Sequence, residues 1–274
     1  MEGVDFQTLA ALAVGLVLAG CLTGVLAGLF GVGGGMFLVP ALYEVFRILD
    51  VDESVRTHLC IGTSLAVIIP TSIRSYRAHR RKGAVDDKVL ALWAAPVVIG
   101  VVLGAFLAAI VSGDVLKFVF ALVLLLSGAK MLSGRDDWRL GETLPGPNAM
   151  RAVGGGVGVL STLMGIGGGN LSNVFLTLYN RPIHNAVATS SGLGVLISIP
   201  AAIGYVIIGW PHMSELPFGS LGFVSLLGFA LMAPVSMLTA PLGVAIAHRF
   251  SKRRLEVVFG LYQLLIALRF FLAN

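Results

Sequence analysis

Charged residues punctuate this chain and do not alternate with apolar ones. No Asp, Glu, Lys or Arg occurs in residues 8–43, 57–73, 89–113, 118–129, 152–180, 182–214 or 216–248. A helix needs about 20 apolar residues to cross the hydrocarbon of a bilayer. Several of these runs are therefore long enough for one span, and some for two joined by a turn. The pattern predicts an all-α polytopic membrane protein.

The pattern also repeats. Gly31-Val32-Gly33-Gly34-Gly35 recurs as Gly165-Ile166-Gly167-Gly168-Gly169, each copy following an apolar helix and preceding a shorter apolar segment. Downstream, His58 with Thr63-Ser64 recurs as His184 with Thr189-Ser190, and Leu116, Phe120 and Leu125 near the end of one half match Leu255, Phe259 and Leu264 in the other. Matched motifs in one order read as a duplication. The first transmembrane repeat covers 1–132 and the second 151–274. The linker at 133–150 is rich in charge, Gly and Pro.

Loop charge orients the halves, because cytoplasmic loops collect Lys and Arg. Loop 74–88 holds Arg74, Arg77, Arg80, Arg81, Lys82 and Lys88, whereas its counterpart 208–218 holds none. Loop 248–254 holds Arg249, Lys252, Arg253 and Arg254, and its counterpart 112–116 holds none. Equivalent loops thus fall on opposite sides, so the repeats are expected to be inverted, with both termini outside and the linker inside. Inversion needs an odd number of crossings per half. Three spans plus a re-entrant hairpin at the glycines satisfies this, and so do five crossings with the glycines at a turn. Either way each repeat has about four membrane segments, counting the glycine-broken hairpin as one. Arg47 and Arg56 then face outward, against the charge rule.

Composition removes the soluble alternative. Hydrophobic residues make up 57% of the chain and charged residues 12%, against roughly 25% charged in a soluble domain. The net charge of +5 resides in loops and has no aromatic-interleaved basic patch, so no nucleic-acid partner is expected. Cys21 and Cys60 both lie in apolar runs and lack metal-ligand spacing, so neither a disulfide nor a metal is expected. Leu18-Ala19-Gly20-Cys21 matches a lipoprotein cleavage box. The chain opens without a basic n-region, however, and its apolar run continues past Cys21, so the match reads as chance.

Candidate chemistry centres on the glycines. Each glycine in a helix costs about 1 kcal/mol relative to Ala, so three in a row break it. A break in lipid is tolerated only where protein or a polar cavity covers it. The freed N–H groups and the next helix N-terminus make an anion site. Gly33, Gly34, Gly35, Gly167, Gly168 and Gly169 are therefore candidate substrate contacts, whereas Gly100 and Gly104 form a GxxxG pair suited to helix packing. Paired hydroxyls at equivalent positions, Thr63-Ser64 and Thr189-Ser190, are candidate donors. Asn170 and Asn173 add amides in the second half, where the first has Met36 and Val39, so the site is expected to be asymmetric. His58 and His184 are candidates for coupling or gating. No buried carboxylate for a proton or cation site is evident, and no catalytic constellation suggests an enzyme. The neutral donors suit an anion. No βαβ unit surrounds Gly31-Val32-Gly33, so nucleotide binding is discarded.

Gly31–Gly35 with Val39-Pro40, the Gly62-Thr63-Ser64 segment, and Gly165–Gly169 with Ala188-Thr189-Ser190 resemble the sulfite exporter TauE/SafE family over nearly the whole chain. The resemblance implies an exporter of small sulfur-containing anions such as sulfite or organosulfonates, in the bacterial inner membrane and without a cofactor. Val174 stands where Pro40 stands in the first half, a departure from the pattern. Alternating access between two inverted halves is the expected mechanism. An anion channel and a non-transporting scaffold or accessory subunit remain alternatives. The expected partners are a small anionic substrate and the lipid bilayer, with a homodimer left open.

Overall fold

A computed structural model describes residues 6–30, 34–134, 140–247 and 252–272. Among the described residues, ten α-helices form two series of five. The first series is α1 Phe6–Phe30, α2 Gly35–Ile48, α3 Glu53–Arg81, α4 Asp87–Ile110 and α5 Gly113–Ser133. The second is α6 Pro147–Met164, α7 Gly169–Leu178, α8 Ile183–Gly209, α9 Leu226–Ala247 and α10 Lys252–Leu272. The fold is all-α apart from a 3-10 turn at Trp210–His212 and a short hairpin, β1 Ser220–Leu221 with β2 Val224–Ser225, which the hydropathy pattern did not predict.

Local chemistry sets the helix ends. Asp52 caps α3 by accepting from Ser54 N at 2.8 Å, Asp86 caps α4 through Val89 N at 3.2 Å, and Ser112 caps α5 through Val115 N at 3.5 Å. Pro147 opens α6, and left-handed glycines end α5 (Gly134) and α6 (Gly165). The run expected as loop 74–88 is shorter than that. α3 continues to Arg81 and α4 begins at Asp87, because α3 carries its basic residues in its last turn, where they complement the helix dipole.

Among the described residues, six helices are long and apolar enough to cross a bilayer: 10–29 of α1, α3, α4, α5, 184–212 and 226–243. The apolar part of α10, Gly260–Phe271, is shorter. At 1.5 Å per residue, α2 with 14 residues and α7 with 10 reach only about 21 and 15 Å, too short to span. Each series is thus a glycine-linked pair whose second helix is too short to span, followed by three helices of at least 21 residues.

In four of the helix pairs that join the two series, the contacts define a direction. α1 and α9 run parallel, with Gly20 against Met232, Gly24 against Ser236 and Val25 against Gly243. α4 and α6 also run parallel, with Trp93 against Gly154, Gly100 against Gly155 and Gly104 against Thr162. α3 and α8 run antiparallel, with Gly62 against Tyr205, Ser72 against Gly194 and Tyr76 against Gly192. α5 and α10 run antiparallel, with Phe118 against Phe271, Phe120 against Phe270 and Gly128 against Gly260. A Cβ on Gly24, Gly100, Gly158 or Gly243 would collide with a backbone carbonyl of the partner helix. These seams depend on small residues, as expected where lipid supplies no hydrophobic drive between helices. Gly100 and Gly104 pack as their spacing predicted.

α3 lies at the centre, with Leu59, Ile61, Leu65 and Ile68 all at most 1% exposed. Leu103, Phe106 and Ile110 of α4, Leu126 of α5 and Leu238 and Leu242 of α9 are exposed, as befits an outer surface meeting lipid. Arg47 and Arg56, which the expected orientation sets against the charge rule, both make polar contacts. Arg47 bonds Glu44 at 2.9 Å, and Arg56 donates to Val51 O and lies over the Tyr43 ring. Lys117, buried one turn into α5, reaches Glu53 at 2.7 Å and Asp114 at 3.0 Å.

Candidate functional site

The glycine clusters meet. A Cβ on Gly35 would strike Gly165 O and Ile166 Cα, the Ile68 side chain packs against both Gly35 and Gly167, and Ile61 packs against Gly165. The junction therefore lies between Ile61 and Ile68, near the middle of the 29-residue α3. From α8, Gly194 and Ile197 reach Gly167 and Gly168. Gly34 (φ 80), Gly167 (φ 64) and Gly168 (φ 75) are left-handed, which glycine adopts without the usual Cβ penalty. Gly33 lies outside the described residues. Gly34 and Gly168 are the N-caps of α2 and α7, and neither helix has a side-chain cap. Their leading N–H groups point back at the breaks and carry the positive end of the helix dipole.

The paired hydroxyls surround this junction with most of their bonds already made inside the protein. Thr63 Oγ1 accepts from Ser225 N at 2.9 Å, and Thr189 Oγ1 accepts from Asp86 N at 2.9 Å. The two bonds are equivalent: each threonine holds the residue just before the fourth helix of the other series. Ser64 Oγ donates to Gly165 O at 2.8 Å, tying α3 to the second break. Ser190 Oγ donates to Val187 O in its own helix at 2.9 Å. Asn170 Nδ2 donates to Ser127 Oγ at 2.8 Å, and its counterpart Met36 meets Gln263 Nε2 at 3.5 Å. Asn173 is buried on α7, one turn further along.

Two buried hydroxyls that the sequence did not single out lie at the breaks without hydrogen-bond partners. Ser161 Oγ of α6 and Thr23 Oγ1 of α1 belong to residues that are 0% exposed. Ser161 lies beside Gly168 and Thr23 beside Gly34. A lone Ser or Thr in an apolar helix reads as a back-bonding hydroxyl, so only the missing bond marks these two out.

His58 and His184 do not converge, because α3 and α8 are antiparallel. His58 lines a cavity of about 580 Å³ with Glu53, Asp114, His212, Glu215 and Phe223. Its Nε2 is 3.0 Å from Ala108 O, and the Phe223 ring is stacked between the imidazoles of His58 and His212. His184 is exposed on the first turn of α8, at the other end of the helix pair. A smaller cavity of about 200 Å³ lies near that end, lined by Asp86, Arg181, Asn185 and Thr189 among others. Neither cavity is lined by a glycine of the two clusters. Among the described residues no cluster of His, Cys, Asp and Glu is suited to hold a metal.

Comparison with known proteins matches the chain to a family. The family described as sulfite exporter TauE/SafE matches residues 16–270. A relative from Haemophilus influenzae is 30% identical over 93% of this chain and 97% of its own length. One from Methanocaldococcus jannaschii is 27% identical over 91% and 94%, and one from Bacillus subtilis 26% identical over 92% and 94%. Each is named a probable membrane transporter protein. No solved structure matches the chain. The chain belongs to the sulfite exporter TauE/SafE family, as a multi-pass membrane transporter.

Proposed function

We propose that the protein is an alternating-access carrier in the bacterial inner membrane that exports small sulfur-containing anions such as sulfite or organosulfonates. One observation carries this reading: two glycine breaks, each followed by an uncapped helix N-terminus, meet halfway along the antiparallel α3–α8 pair. Broken helices at mid-depth are how inverted-repeat carriers hold ions that lipid would reject. Their N-termini favour a negative substrate.

Inversion of 1–132 against 151–274 across the 133–150 linker is supported by direction. Equivalent helices α3 and α8 are antiparallel, as are α5 and α10, while α1 is parallel to α9 and α4 to α6. A two-fold axis in the membrane plane produces this set of directions. An axis along the membrane normal would make equivalent helices parallel. Packed protein between the two cavities supports a carrier that opens each mouth in turn. In this reading Thr63, Ser64, Thr189 and Ser190 hold the junction together, the glycine N–H groups contact substrate, and His58 and His184 belong to opposite mouths.

Flux into proteoliposomes tests the reading. Sulfite or sulfoacetate flux should saturate with concentration and exceed sulfate and chloride flux. Gly168→Leu should abolish it while the protein still inserts, since a side chain there meets Ile197 and a left-handed backbone. A protein that moves none of these anions is not an anion transporter.

A further inference from the structure

We propose that Ser161 is a substrate-binding residue: its hydroxyl and the first turn of α7 together form an oxyanion site at the second break. The proposal rests on the anion-transport reading and deepens it by naming a side chain and a ligand class.

Ser161 is on the last turn of α6, is 0% exposed, and its Oγ has no hydrogen-bond partner. Buried hydroxyls in helices ordinarily bond back to a carbonyl three or four residues earlier. The neighbours do so: Thr162 to Gly158 O at 2.8 Å, Ser172 to Gly168 O at 2.7 Å and Thr177 to Asn173 O at 2.8 Å. Ser161 does not, and it faces the break. Its Oγ lies 3.2 Å from where a Cβ on Gly168 would stand, with Val157 and Ile197 walling the same point. Gly168 is the uncapped N-cap of the ten-residue α7. The α7 N–H groups and the Ser161 O–H are all donors, and the surrounding wall is apolar. An acceptor-only ligand satisfies them, which describes a small oxyanion. Such hydrogen bonds are strong where water is excluded.

The first break is built differently. Thr23 is equally buried and unpartnered, but it turns its methyl group toward Gly34. The anion oxygen is therefore held at the second break.

The test is thermal unfolding of the purified full chain in detergent, with sodium sulfite or sodium sulfoacetate titrated at constant sodium against chloride. Ser161→Ala should melt a few degrees higher than wild type without anion, because it removes a buried hydroxyl that has no partner. It should also need about tenfold more sulfite for its half-maximal shift, the loss of one hydrogen bond to a charged group. Ser161→Thr keeps the hydroxyl and should keep the wild-type response. Ser161→Cys, close in volume but a weak donor, should follow Ser161→Ala and provides a second variant. An unchanged half-maximal concentration in the Ala and Cys variants, with wild type still stabilised, overturns the role of Ser161 and leaves the transport reading standing. A wild-type protein that neither anion stabilises beyond chloride overturns both.

Discussion

Thr63 and Thr189 illustrate what a side chain does when its neighbours are chosen by the fold. Their equivalence is readable from two matched Thr-Ser pairs, and it suggests two substrate donors. Their partners, Ser225 N and Asp86 N, lie 162 and 103 residues away, and no local pattern announces them. Each hydroxyl accepts a backbone N–H that would otherwise lack a partner. Thr63→Val should therefore lower stability by about 1–3 kcal/mol, the cost of a buried donor left unpaired, read as a drop in unfolding temperature in detergent. Thr63→Ser should retain most of the wild-type value. A valine variant as stable as wild type would remove the clamp. Ser161 and Thr23 make the converse point. In sequence they are ordinary hydroxyls of apolar helices, and only a bond that is absent in three dimensions makes them candidates.

Elements are where the sequence is most legible. Charge-free runs located the long helices, and the triple glycines located the breaks, because helix length and helix breaking are local properties. The second series is more compact than the first, with α7 four residues shorter than α2. The short helices nonetheless end alike, on left-handed Asp50 and Asn180, residue types that tolerate that region. Glycines within helices are less legible, since a packing glycine and an idle one look the same in sequence. α6 provides a test. A Cβ on Gly158 would collide with Val97 O, whereas Gly156 has nothing within 4 Å. Gly158→Ala should destabilise by about 1–3 kcal/mol through overpacking, and Gly156→Ala should stabilise by up to about 1 kcal/mol through helix propensity. Chemical or thermal unfolding of the two variants side by side would read the difference. Equal effects would mean that the α4–α6 seam does not depend on close backbone approach.

At the scale of the whole molecule, two independent patterns support the proposed inversion. The charge rule favours opposite sides for equivalent loops, and α3 and α8, like α5 and α10, run antiparallel. The prediction is a labelling pattern. With Cys21 and Cys60 replaced, a cysteine at Ser214 should react with a membrane-impermeant thiol reagent on intact cells, and one at Gly83 only after permeabilisation. Both positions labelled from one side would refute the inverted arrangement. The antiparallel pairing also places His58 and His184, matched in sequence, at opposite ends of the α3–α8 pair.

The sequence by itself determined that this chain lies in a membrane, where its long helices run and where two of them break. Each of these follows from interactions with lipid or between residues close in the chain. Tertiary structure alone decided which helices pair, that the two breaks touch, that Thr63 and Thr189 are clamps across the halves, and that Ser161 is left with an unbonded hydroxyl facing one of them. Those outcomes depend on backbones brought together from opposite halves of the chain. Glycine permits that contact, but it does not name its partner.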